Sequence, residues 1–164
     1  MQQEHFLNEQ LFAFREVLQL LSLERGAVEG YVDREIFRPQ FPGPRGGSPN
    51  RRTWTGRDIL KLEAISCLTR LGVMPAHVAS VVAPGADIDR AITEFQVMRN
   101  TEAPFIIWVP EVEREPFDER LSGRMRERGV YSYLVFDPSL MVEEWAVQLR
   151  QYLDKRERSE SAAN

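Results

Sequence analysis

"RRTWTGRDILKLEAISCLTRLG", Arg51 to Gly72, decides how the first half of the chain folds. Thr55 stands three residues ahead of Asp58, the spacing of a helix N-cap with an acid in the first turn. Ile59, Leu60, Leu62, Ile65, Leu68 and Leu71 follow. They are apolar around much of a helix's circumference, so Gly56 to Leu71 is expected as a central core helix. Gly72 suits a left-handed C-cap. Pro75 suits the first position of the next short helix, which runs to about Val82 on Val78, Val81 and Val82. Pro84 and Gly85 then close the block. Ahead of the core helix, "RRTW" reads as a short strand leading back to the core, with Trp54 as its anchor rather than a base-stacking side chain.

Upstream, Pro39 to Asn50 holds Pro39, Pro42, Pro44 and Pro49 with Gly43, Gly46 and Gly47. Such a segment has little to bury, so it is expected to be an exposed, mobile loop. Phe14 to Leu21 places Val17, Leu18 and Leu21 at helical spacing. After the short break "SLE", Arg25 to Glu35 places Val28, Tyr31, Val32 and Ile36 on one apolar stripe, with Pro39 as its stop. Two short helices joined by a tight turn make a helix-turn-helix.

Charge is divided unevenly. Between Arg34 and Arg70 eight Lys/Arg face three acids, a net of +5, whereas the chain from Pro84 onward carries a net of −5. A basic block in an acidic protein points to a local polyanion-binding surface or, more blandly, to a solvated face. No apolar run approaches the ~20 residues of a membrane helix, and "MQQEHFLNEQ" does not read as a secretory leader, so a cytoplasmic location is expected. Cys67 is the only cysteine, which excludes an intrachain disulfide and a multi-cysteine metal site.

In the second half, Asp87 to Arg99 reads as a helix on Ile88, Ile92, Phe95 and Met98. "FIIWV", Phe105 to Val109, reads as a strand. Pro116 to Arg128 reads as a charged helix with Phe117, Leu121 and Met125 inward, and Val130 to Phe136 as a second strand. A last helix opens at Pro138 with Met141, Trp145, Leu149 and Tyr152 inward, ahead of a disordered tail from residue 155 to 164. Strand, helix, strand, helix in that order implies two parallel strands.

The stretch from Phe12 to Val82, half the chain, resembles the DNA-binding domain of MerR-type transcriptional regulators. Arg52, Trp54, Thr55, Asp58-Ile59 and Leu71-Gly72 match that family's pattern, and Tyr31 and Val32 match its paired aromatic positions upstream. The resemblance implies an α+β chain. Residues 1–83 would form a winged helix-turn-helix, 84–154 a small βαβα domain for dimerisation or effector sensing, and 155–164 the tail. It implies a wing from Phe41 to Asn50 and a helix from Arg25 that enters the major groove of double-stranded DNA. It also implies a homodimer and a possible contact with RNA polymerase. The DNA-contacting set is then Arg25, Glu29, Arg34, Arg38, Arg45, Arg51, Arg52 and Arg57. Arginine forks suit phosphate oxygens, although Arg34 and Arg38 have Asp33 and Glu35 as alternative partners.

Three features depart from the pattern. Gly26, Glu29 and Gly30 stand where such proteins commonly show an arginine and an aromatic, the helix from Asp87 is short for a dimer helix, and the family's metal-binding cysteines are absent. The first departure motivates an alternative, a protein-interaction adaptor whose winged helix has lost base readout. No catalytic constellation is visible, so no enzyme, cofactor or metal is expected. Cys67 fits an inert buried thiol, His77 a surface position, and Glu111, Glu113 and Glu115 a solvated acidic segment. Asp137 lies at a strand end, either a site position or a cap for the last helix.

Overall fold

The computed structural model describes residues 5–41, 53–96, 106–109, 112–116 and 134–163. The chain is α+β. A 3-10 turn, His5–Leu7, leads to strand β1, Phe12–Ala13, and helix α1, Phe14–Leu21. Ser22 takes a left-handed backbone (φ 50°), which lets the Leu23 amide return to the Leu18 carbonyl at 3.0 Å and turn the chain sharply. Helix α2, Arg25–Asp33, follows. It ends two residues before the expected Glu35, and Pro39 is not what stops it. Glu35 itself adopts φ 57°, and the amides of Ile36 and Phe37 reach back to the Tyr31 carbonyl at 2.9 and 3.1 Å. That reversal carries Ile36 and Phe37 into the core.

Strand β2, Thr53–Trp54, pairs antiparallel with β1 in the register Phe12 to Trp54 and Ala13 to Thr53. Helix α3, Gly56–Arg70, runs through the centre of the protein, with Ile59, Leu60, Leu62, Ala64 and Ile65 fully buried. The expected capping box is present at its start, and Gly72 (φ 84°) provides the left-handed turn after its end. Gly56 allows a close approach. A Cβ there would stand 2.9 Å from both the Phe6 ring and the Phe6 carbonyl oxygen, so the 3-10 turn sits directly on the α3 backbone. Helix α4, Pro75–Val82, begins at its proline as expected. Helix α5, Asp87–Gln96, completes this block.

The small sheet departs from expectation. Strand β3, Ile106–Val109, pairs with β4, Val112–Pro116, and with β5, Leu134–Phe136. Both pairings are antiparallel, in the order β4-β3-β5. The inferred parallel βαβ unit is therefore corrected to an antiparallel three-stranded sheet. Val112 to Pro116 forms a hairpin with β3, which reverses the chain before β5 joins the other edge. Pro116 is the last residue of β4, while the rest of the expected Pro116 to Arg128 helix lies outside the described residues.

Helix α6, Pro138–Ala163, is the second correction. Its 26 residues run straight through the stretch expected to be a disordered tail. At 1.5 Å per residue it spans about 39 Å. Met141, Val142, Ala146 and Leu149 join Ile88, Ala91 and Ile92 of α5 in the same buried cluster as Phe14, Val17 and the α3 side chains. Among the described residues one buried cluster thus spans both sides of the expected boundary near residue 83. Farther along α6, the Tyr152 hydroxyl donates to Glu16 Oε1 at 2.7 Å, and Arg156 donates to the Leu11 carbonyl at 2.9 Å and to Glu16 at 3.3 Å. These bonds fix the late turns of α6 against α1.

Candidate nucleic-acid interface

Two features of the N-terminal block bear on a polyanion: the exposed side of α2 and the framed ends of the segment 42–52. Trp54 organises both. Its indole is 1% exposed and is stacked between Phe14 at 5.6 Å and Phe37 at 6.0 Å, centroid to centroid. Phe14 opens α1, Phe37 follows α2 and Trp54 ends β2, so one aromatic stack ties both helices to the strand. The expected anchoring role of Trp54 is thereby observed.

A second tie joins the two ends of the segment. The Gln40 amide donates to Asp58 Oδ1 at 2.9 Å, and the Thr55 amide donates to Asp58 Oδ2 at 3.1 Å. Asp58's own amide donates to Thr55 Oγ1 at 3.1 Å. One buried carboxylate therefore holds the chain just before residue 42 and just after residue 52. Burial pushes the Asp58 carboxyl above its ordinary range, and the bonds from Gln40 and Thr55 offset part of that push. This latch escaped the sequence, which showed the Thr55 to Asp58 cap but had no signal for Gln40.

The candidate arginines fall into three groups. Arg45, Arg51 and Arg52 lie outside the described residues. Arg25, Arg34 and Arg38 are exposed along and after α2. The Arg25 guanidinium lies over the Phe14 ring at 5.6 Å, and Arg38 pairs with Glu35 at 3.1 Å, one of the alternatives open from sequence. Arg57 stands apart from both. Its side chain is only 14% exposed and pairs with Asp89 at 2.9 Å, so it braces α3 against α5 and is poorly placed for a phosphate. Lys61 reaches the same Asp89 oxygen at 2.6 Å. Burial pushes Asp89 up, but Lys61, the Gly85 amide and Arg57 outweigh it and hold the carboxyl below its usual range.

On α2, nothing among the described residues lies within 4 Å of where a Cβ of Gly26 or Gly30 would stand. Glu29 lies between them in sequence, half-buried, and makes no ion pair or hydrogen bond among the described residues. Around α1 and α2 the cations Arg15, Arg25, Arg34 and Arg38 stand with the acids Glu16, Glu24, Glu29, Asp33 and Glu35, so this surface carries no cationic excess. Exposed Arg15 was not singled out from sequence, because it lies one helix before the basic block. The net positive excess belongs to Arg45, Arg51 and Arg52.

Cys67 and Asp137 both have local partners. Cys67 Sγ contacts Glu63 Oε1 at 3.1 Å, and burial with that carboxylate beside it pushes the thiol up, away from the reactive thiolate. Asp137 accepts from the Leu140 amide at 3.0 Å, the capping alternative. Among the described residues no group of three or more His, Cys, Asp or Glu is placed to hold a metal ion, and no helix is long and apolar enough to cross a membrane. No family model matches the chain, and neither a curated protein nor a solved structure matches it.

Proposed function

We propose that the protein binds double-stranded DNA through a MerR-like winged helix, as a transcriptional regulator acting in dimeric form. One observation carries this reading. The exposed helix α2 and both ends of the basic segment 42–52 are held on a single scaffold by the Trp54 stack and the Asp58 latch. Three arginines, Arg45, Arg51 and Arg52, in a segment whose two ends are held to the scaffold that carries α2, suit backbone grip combined with groove entry. Because α1 and α2 carry no cationic excess, the proposed grip falls to Arg45, Arg51 and Arg52.

The test is fluorescence anisotropy on labelled duplex DNA across a salt series. Binding should be firm at ~50 mM salt and fall steeply by ~200 mM. Replacing Arg51 and Arg52 together by alanine should weaken binding to all sequences alike and reduce the slope of log affinity against log salt by about 2. Absence of duplex binding at the lower salt rejects the proposal. Selection of bound genomic fragments should return two-fold sites if the dimer is correct.

The lack of a cationic excess around α2 also favours a second reading, an adaptor that docks a protein on this surface. Its mark is one stoichiometric protein partner that stays bound when Arg51 and Arg52 are alanine.

A further inference from the structure

We propose that Gln40 is a positioning residue for Arg45, Arg51 and Arg52, and that it acts by holding the near end of segment 42–52 to the scaffold rather than by touching DNA. This rests on the reading that those arginines hold phosphates. Gln40 and Thr55 stand just outside the segment, one on each side. Gln40 bonds across that gap twice. Its amide donates to Asp58 Oδ1 at 2.9 Å, and its side-chain Oε1 accepts from the Thr55 hydroxyl at 3.2 Å.

The start of α3 does not need these bonds. Thr55 and Asp58 already satisfy each other in the capping box, through Asp58 Oδ2 and Thr55 Oγ1. Asp58 Oδ1 is the oxygen that the cap leaves over, and the Gln40 amide takes it. The consequence of the Gln40 bonds therefore falls on the chain leading into residue 42 rather than on the helix. The far end is held independently, by the pairing of β2 with β1 and by the stacking of Trp54. On the near side the next attachment upstream is Phe37, through its stack on Trp54, while Arg38 pairs within its own turn with Glu35. Loss of the Gln40 bonds moves the near anchor back to Phe37. That lengthening alone changes loop closure by less than about twofold. The larger effect is that a pinned end leaves fewer arrangements to be lost on contact with a ligand. The two bonds are unequal. The Thr55 hydroxyl has one hydrogen and also reaches Asp58 Oδ2 at 3.0 Å, so Gln40 Oε1 shares it, whereas the amide bond is undivided.

The experiment is a double-mutant cycle on labelled duplex DNA with the full chain, read by anisotropy. Gln40→Met keeps the length and the amide but drops the acceptor, and Gln40→Pro removes both bonds. Each is made in wild type and in the Arg51→Ala, Arg52→Ala background. Gln40 is exposed, so the variants are expected to fold, and thermal melts set a temperature at which all are folded. Binding is read at ~20 mM salt, where phosphate contacts are strongest. In wild type, Kd should rise about twofold for Gln40→Met and about fivefold for Gln40→Pro, as the fraction of protein with its near end held declines. In the arginine-free background Gln40→Pro should change Kd by less than about twofold, because a residue that acts through those arginines has little left to position. An equal fivefold rise in both backgrounds would overturn the proposal, since Gln40 would then act without them. A lower melting temperature with an unchanged Kd for the folded protein would overturn it as well, leaving DNA binding intact and Gln40 purely structural. If wild type itself binds no duplex, the underlying reading fails and this inference with it.

Discussion

Alanine at both Gly26 and Gly30 should stabilise the protein and weaken its grip on DNA. Both glycines lie inside α2, and neither has the positive φ that would require glycine. A methyl group at either position meets nothing within 4 Å. The substitution therefore carries no steric cost and removes the conformational freedom that glycine contributes to the unfolded chain. Each change is worth about 0.5–1 kcal/mol, so the pair should add about 1–2 kcal/mol. For a chain of this size, 1 kcal/mol moves the melting temperature by about 2–4 °C. A rise of about 3–6 °C in a circular-dichroism melt is the expected result for the middle of that range. Gly56→Ala is the internal contrast. There the new methyl would press on the Phe6 ring and carbonyl at 2.9 Å, and a loss of about 1–3 kcal/mol is expected. If α2 enters a DNA groove as proposed, the double variant should bind duplex less tightly than wild type despite its greater stability, because the two methyls would add bulk to the face turned to the bases. An unchanged or lower melting temperature would refute the argument, since it would mean α2 is already covered or is not helical in the free protein.

Two further outcomes test the scaffold. Asp58→Ala leaves the Gln40 and Thr55 amides without their acceptor and should cost about 2 kcal/mol or more in urea unfolding, against about 1 kcal/mol for Thr55→Ala. Equal losses would show that Asp58 serves only as a helix cap. The Glu16 contacts predict a pH dependence. Partial burial raises its carboxyl, but the Ala13 amide, Tyr152 and Arg156 outweigh that and hold it below its ordinary value of 4.5. A depressed acid contributes stability that is present above that value and lost as pH falls through the folded-state value. Wild type should therefore lose more stability between pH 7 and the acid range than Glu16→Gln does, measured by paired urea titrations. Parallel losses in both proteins would remove Glu16 from the account.

The parts of the fold that were legible share a local cause. The start of α3 is written in Thr55 and Asp58, its end in Gly72, and the start of α4 in Pro75, each decided by backbone preference within a few residues. The end of α2 was misjudged because Glu35 takes a left-handed turn with no glycine to announce it. Burial of Ile36 and Phe37 outweighs the local penalty, and that depends on partners distant in sequence. The small sheet was misread for a related reason. Val112 to Pro116 alternates polar residues and looks solvated, yet it pairs with β3 through backbone groups that no side-chain pattern reports. Without that strand the chain order implied a parallel crossover. Helix α6 outran its expected end because its later turns carry few apolar residues, and its hold on α1 comes from Tyr152 and Arg156 meeting Glu16, a pairing of residues 136 and 140 apart.

The same contrast separates the arginines of the candidate interface. Arg57 belongs to the basic block by position, but the nearby helix α5 places Asp89 within 2.9 Å and neutralises it. A charge count along the chain cannot see that partner, because Asp89 lies 32 residues away. Glu35, by contrast, is three residues from Arg38, and their pairing was open from sequence. With Arg57 paired to Asp89 and Arg38 to Glu35, the phosphate contacts proposed for this chain fall to Arg45, Arg51 and Arg52. The segment 42–52 carries three arginines and no acid, while the stretch from Glu24 to Arg34 is nearly neutral. If the protein binds DNA as proposed, such a division would make affinity sensitive to salt chiefly through Arg45, Arg51 and Arg52. Substitutions at Arg51 and Arg52 should then change the salt slope and leave the selected motif intact.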